Sequence, residues 1–210
     1  MNAIFIRRLL ATAIILLSVS GARAQLYGIG YSISGGSTLP EARLKNADGF
    51  SVANKEGFRV GPTVEYMFKS GVAFDASLYF ARYDIRLNDG NNSYNFGRSF
   101  IELPLNIKFS RYLIKAQNFA LAPMIVTGPS FMFNIGRHHA GEYATQRRFQ
   151  PAWNVGGGFE LMGFLQVTVG YRFGLNNFIK RFDMRPDAEM RCKGIYVTAG
   201  FIFRPIVLKL

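Results

Sequence analysis

The chain has 210 residues, a net charge of +12, 15% aromatic residues and only 18% charged ones. That length suits one domain with a full core, and a composition rich in aromatics and poor in charge excludes disorder. A single cysteine, Cys192, excludes an internal disulfide.

Residues 1–24 read as an export signal. Arg7 and Arg8 precede an apolar stretch from Leu9 to Val19, and Ala22-Arg23-Ala24 is a small-x-small cleavage site. The segment before the arginines, MNAIFI, is unusually apolar for such a signal. The apolar stretch is too short to span a bilayer as a helix. The mature domain is then 25–210, and loss of Arg7, Arg8 and Arg23 lowers its charge from +12 to +9. A basic exported protein points to an anionic surface as its neighbour, such as lipid or lipopolysaccharide phosphate. No nucleic-acid partner is expected for an exported chain.

Eight strands follow, each with apolar residues at every second position. The first spans 26–34, with Tyr27, Ile29, Tyr31 and Ile33 on one face. The second spans 58–68, with Val60, Val64 and Phe68, and the third 72–86, with Phe74, Leu78 and Phe80. The fourth runs over 94–109, with Ile101, Leu103, Leu105 and Ile107. The fifth covers 119–133, where Pro123 and Pro129 each remove a ladder donor and predict a bulge or a gap in pairing. The sixth spans 152–161, with Trp153, Val155 and Phe159. The seventh, 164–175, carries Val167, Val169, Tyr171 and Phe173. The eighth, 194–204, carries Ile195, Val197, Phe201 and Phe203.

A strand alternates sides with period two, so each segment has one apolar face and one small or polar face. No segment after the signal is long and apolar enough to be a spanning helix. The connections alternate in length. Those at 69–71, 110–118 and 162–163 are short; those at 35–57, 88–93, 134–151 and 176–193 are longer. The pattern predicts an all-β fold: an eight-stranded antiparallel up-and-down transmembrane β-barrel with periplasmic termini and four external loops. A secreted barrel with its apolar face inward is the competing architecture. Against it stand the Gly, Ala, Ser and Thr of the opposite face, where a soluble exterior carries Lys and Glu. Aromatics also cluster at strand ends, as in Tyr66 with Phe68, Phe131 with Phe133, and Tyr171 with Phe173.

At 99–109, SFIELPLNIKF, the chain resembles the outer-membrane β-barrel family that includes the PorT-like proteins. The matching residues are Ile101-Glu102-Leu103-Pro104 with Lys108-Phe109, then Gly128-Pro129, Gly156-Gly157-Gly158, and Gly200 to Phe203. The resemblance covers roughly 25–204 and implies an integral outer-membrane barrel of Gram-negative, Bacteroidota-type cells. PorT-like members are associated with protein secretion, so it also implies secretion or envelope protein partners. The chain departs from the common barrel ending, running RPIVLKL after Phe203.

The face assignment turns eight charges inward: Arg59, Glu65, Asp75, Glu102, Lys108, Glu160, Arg172 and Arg204. Strand directions put Arg59, Glu102 and Arg172 in the outer half and the other five in the periplasmic half. Eight strands leave room only for side chains. Four acids against four bases therefore predict a closed polar lumen held by salt bridges, with an ion or proton path as the alternative.

Other chemistry is sparse. His138 and His139 lie near Glu142, but adjacent residues of an extended chain point apart and make a poor shared metal site. Ser130 is the hydroxyl nearest that loop, with no third residue to orient a base. Arg137, Arg147, Arg148, Lys180, Arg181 and Arg185 place basic charge in the long loops, as anionic-lipid contacts or as ordinary solvated charge. The reading is a non-enzymatic barrel without cofactor or metal. A narrow pore and a lipid-modifying barrel enzyme are the alternatives.

Overall fold

The computed structural model describes residues 28–45, 51–68, 70–88, 93–111, 113–116, 119–136, 139–140, 144–176, 179–182 and 189–206. Among them, eight strands carry the architecture. They are β1 (Gly28–Lys45), β2 (Ser51–Met67), β3 in two segments (Val72–Ser77 and Tyr79–Asn88), β4 (Ser93–Ser110), β5 (Phe119–Asn134), β6 (Phe149–Leu161), β7 (Leu165–Gly174) and β8 (Glu189–Ile206). Each pairs antiparallel with the next, and β8 returns to β1, so the sheet closes and has no free edge along the barrel wall.

The stagger of this closure follows from the pairings. The path Phe109, Ile125, Gly157, Val169, Val197, Ser37, Phe58, Arg82, Ser99 crosses every strand once and returns to β4 ten residues from its start. With a rise of about 3.4 Å per residue and strands about 4.8 Å apart, that stagger tilts the strands by roughly 42°. The corresponding backbone radius is about 8 Å, which leaves a lumen filled by side chains.

Period-two alternation decides what lies on each side. On β5, Ala120, Ala122, Met124 and Val126 are buried while Ile125 is 63% exposed. Ile33, Phe74, Leu105, Phe159, Val169 and Val197 are likewise exposed, whereas Glu102 and Lys108 are fully buried. The barrel is thus apolar outside and charged inside, an arrangement that is stable only in an apolar surrounding. Aromatic rings band both ends of the wall. Tyr66 packs on Phe68 and Phe68 on Phe74, and Phe164 stacks on Phe201, at one end. At the other, Phe149 contacts Phe131 and Phe133, and Tyr171 contacts Phe173. Eight residues separate Leu165 from Phe173, about 20 Å along the barrel axis, close to the ~25 Å apolar band of spanning barrels.

One end carries tight turns. Met162 (φ 53°) and Gly163 (φ 74°) are the central residues of a tight turn in the three-residue connection between β6 and β7, with Phe164 N–H donating to Leu161 O at 3.2 Å. Gly71 takes φ 84° in the turn from β2 to β3. A short strand, Ile114–Ala116, pairs back on the start of β5. At the opposite end, His139–Ala140, Ala144–Gln146 and Ile179–Phe182 form a separate three-stranded sheet.

Several boundaries differ from the sequence reading. β1 runs to Lys45 and β2 begins at Ser51, so the expected 35–57 connection is mostly strand. The expected connection begins at Gly35-Gly36, but a Cβ on Gly36 would lie 1.8 Å from Val197 O, so the glycine permits close strand approach. β8 likewise starts at Glu189, which moves Cys192 out of the expected loop and onto the ladder opposite Ala42. β3 is interrupted at Leu78 because its partner Pro62 has no N–H, although Leu78 N–H still donates to Pro62 O at 2.9 Å. The register is the same on both sides of the break, with Thr63 opposite Ser77 and Val60 opposite Phe80. β5 is continuous, but its ladder with β4 skips Leu105 and Asn106 beside Gly128 and Pro129. The signal at 1–24 lies outside the described residues.

Candidate functional site

The candidate site is the lumen, built by side chains that alternate inward from all eight strands. Its charges fall into two tiers. In the half nearer the long connections, Glu102 is the centre and is 0% exposed. It pairs with Arg59 Nη1 at 3.4 Å and Arg172 Nη1 at 3.0 Å, and it accepts from Ser130 Oγ at 3.1 Å and Tyr83 Oη at 3.3 Å. The guanidinium of Arg59 lies between the rings of Tyr79 and Tyr196, 4.5 and 4.0 Å from their centroids. That of Arg172 lies 4.9 Å from the Tyr83 ring. Ring faces supply the negative potential that a second carboxylate would otherwise provide.

In the half nearer the tight turns, two acids meet two bases. Arg204 bonds Glu65 Oε1 through Nη2 at 2.8 Å, and Glu160 through Nη1 at 2.7 Å and Nη2 at 2.8 Å. Lys108 Nζ pairs with Glu65 and lies 4.0 Å from Glu160. Four charges in alternation leave each buried ion with two opposite neighbours, which is what burial of charge demands. Asp75 belongs to neither tier. Its Oδ1 accepts from Asn106 Nδ2 at 2.8 Å, its partner across the β3–β4 pairing.

Asp75 faces a polar cavity of about 50 Å³ between the tiers. Arg59 and Glu65 border it from either side, with Thr63, Ser77, Thr168 and Thr198 among its lining residues.

The remaining candidates are dispersed. Ser130 is fully buried and donates to Glu102, so its hydroxyl serves the ion-pair tier. His139 lies on a short strand, while His138 and Glu142 lie outside the described residues. Among the described residues no three metal-ligating side chains converge. Arg147 and Arg148 are exposed just before β6, and Lys180 and Arg181 lie on the short strand Ile179–Phe182. Arg137 and Arg185 are outside the described residues. Reading the residues one at a time missed Tyr79, Tyr83 and Tyr196. Their parity with the inward charges was the available signal.

A family model for the outer membrane protein beta-barrel domain matches residues 23–180. The chain belongs to this family. As an outer-membrane barrel it is similar to OprG from Pseudomonas aeruginosa, at 12% identity and TM-score 0.50, over 85% of this chain and 97% of that one. It is similar also to AlkL in lipid bilayers, at 12% identity and TM-score 0.50, over 90% and 98% of the two chains. At that identity the likeness concerns the fold. No curated protein matches the outer-membrane barrel by sequence.

Proposed function

We propose that this protein is a non-enzymatic outer-membrane barrel with a closed polar lumen and a structural or envelope-associated role of the PorT-like kind. The observation that supports it most is the pair of ion-pair tiers, which occupy the lumen at two heights and engage Ser130, the hydroxyl nearest the histidine loop in the sequence. The PorT-like association with secretion or envelope proteins rests on the SFIELPLNIKF segment. We further place the tight turns and both termini in the periplasm and the long connections outside, because periplasmic turns of such barrels are the short ones. There Arg147 and Arg148, with Arg137, Lys180, Arg181 and Arg185, meet lipopolysaccharide phosphates, to which Arg offers bidentate donors.

Reconstitution in planar bilayers tests the closed lumen. The expected result is no steady conductance, and a steady ion-selective current would establish a narrow pore instead. Mass spectrometry of lipid A from cells with and without the gene tests the absence of lipid chemistry. Identical acyl patterns are expected, and a change would restore the enzyme reading. Co-purification from native membranes identifies the envelope partner, and its absence under mild extraction would remove the secretion role.

A further inference from the structure

The cavity between the tiers is bordered by polar atoms of both hydrogen-bonding kinds. Arg59 is 5% exposed and its Nη1 pairs with Glu102, yet its Nε–H, in the same buried side chain, has no partner among the described residues. On the other side, Asn106 donates to Asp75 while its Oδ1 is buried and unpaired. Residues that carry an unpaired donor and an unpaired acceptor therefore line one polar space of about 50 Å³. Leaving either group unpaired in a buried site is costly.

The charges and atoms around the cavity discriminate between occupants. A cation satisfies Asn106 Oδ1 and Asp75 but leaves the Arg59 Nε–H unpaired and sits beside a guanidinium. An anion satisfies Arg59 but faces the Asp75 carboxylate and the Asn106 oxygen. The cavity lining already carries charge of both signs, Arg59 against Glu65 and Asp75. Water both donates and accepts. A buried water needs roughly 10–15 Å³ and two to four polar partners, so the space suits about three to five.

We propose that the cavity is a buried hydration site. A small water cluster links the Arg59 Nε–H to Asn106 Oδ1 and Asp75, with Thr63, Ser77 and Thr168 as further partners. The cluster ties the Glu102 tier to the Lys108–Glu65–Arg204–Glu160 tier electrostatically while both tiers close it off from bulk solvent. The inference rests on the closed-lumen reading for the isolation of the cluster, but its occupancy does not depend on that reading.

The test is NMR of the isotope-labelled protein in lipid bilayers, reading magnetisation transfer from water to the Arg59 Nε–H. Transfer is expected at Arg59 and at the Thr63 and Thr168 amides, and not at Val169 or Val197, whose side chains face lipid. Ser77→Leu, which fills the space, should abolish the Arg59 signal. Thr168→Val, closer in shape, should reduce it if the leucine variant fails to fold. Absence of transfer to Arg59 in the wild type would overturn the proposal. So would an Arg59 or Asn106 resonance that titrates saturably with sodium or chloride, since that marks an ion as occupant. Bilayer conductance measured alongside separates the two ideas, because a conducting protein with wild-type transfer refutes the closed lumen and leaves the hydration site intact.

Discussion

Replacing Glu102 by glutamine should destabilise the barrel far more than the same change at Glu65. Glu102 is the carboxylate shared by Arg59 and Arg172, and it is completely buried. Glu102→Gln removes the buried carboxylate that both guanidinium groups share. Breaking a buried pair in this way costs about 3–5 kcal/mol. The tyrosine rings around Arg59 and Arg172 persist in the variant, and cation–π contact is worth about 0.5–2 kcal/mol per site. The net loss should therefore fall near the lower limit, about 3 kcal/mol. Glu65→Gln is milder, because Glu160 still holds Arg204 through two bonds and remains 4.0 Å from Lys108. Its loss should be about 1–2 kcal/mol, the worth of a charged hydrogen bond in a network that keeps a second carboxylate. Reversible urea unfolding in phospholipid vesicles measures both, with Trp153, the sole tryptophan and half-exposed on the outer face of β6, as the fluorescent reporter. Equal losses for the two variants, or none for Glu102→Gln, would refute the assignment of Glu102 as the centre of its tier.

Three further outcomes are expected. Val169, 50% exposed in mid-β7, faces lipid, so Val169→Arg should cost about 2–4 kcal/mol. Thr168→Arg, pointing into the lumen, should differ, and equal folding yields of the two in vesicles would overturn the face assignment. Gly36→Ala should weaken the β1–β8 seam by about 1–3 kcal/mol, since its Cβ would meet Val197 O at 1.8 Å. Gly35→Ala, whose nearest neighbour would be Val60 Cγ2 at 3.5 Å, should be nearly neutral in the same unfolding assay. For orientation, Arg148→Cys in a Cys192→Ser background should react with an impermeant maleimide on intact cells. Ser70→Cys in the tight turn should react only after the outer membrane is opened, and the reverse pattern would invert the proposed topology.

Much of this protein is written locally. Strand alternation needs only a side-chain period of two, so the apolar outer face of Ile33, Val64, Ile125 and Val169 is legible along the chain. The parity of Arg59, Glu65, Glu102 and Arg204 is equally local, as is Met162-Gly163 as a turn. What the chain does not display is the sum of eight registers. Arg204 reaches Glu65 across 139 residues because β8 closes on β1 beside β2, at the register of the ten-residue stagger. No single segment contains that total. The same closure decides that Arg59 lies between Tyr79 and Tyr196, that Gly36 serves close packing rather than a loop, and that Cys192 lies in a ladder. It also sets the cavity between the tiers, since that space is what remains when side chains from different strands meet at one height. A barrel, its faces and its inward charges follow from neighbours along the chain. Which charges pair, and what space they leave, depends on neighbours across the barrel.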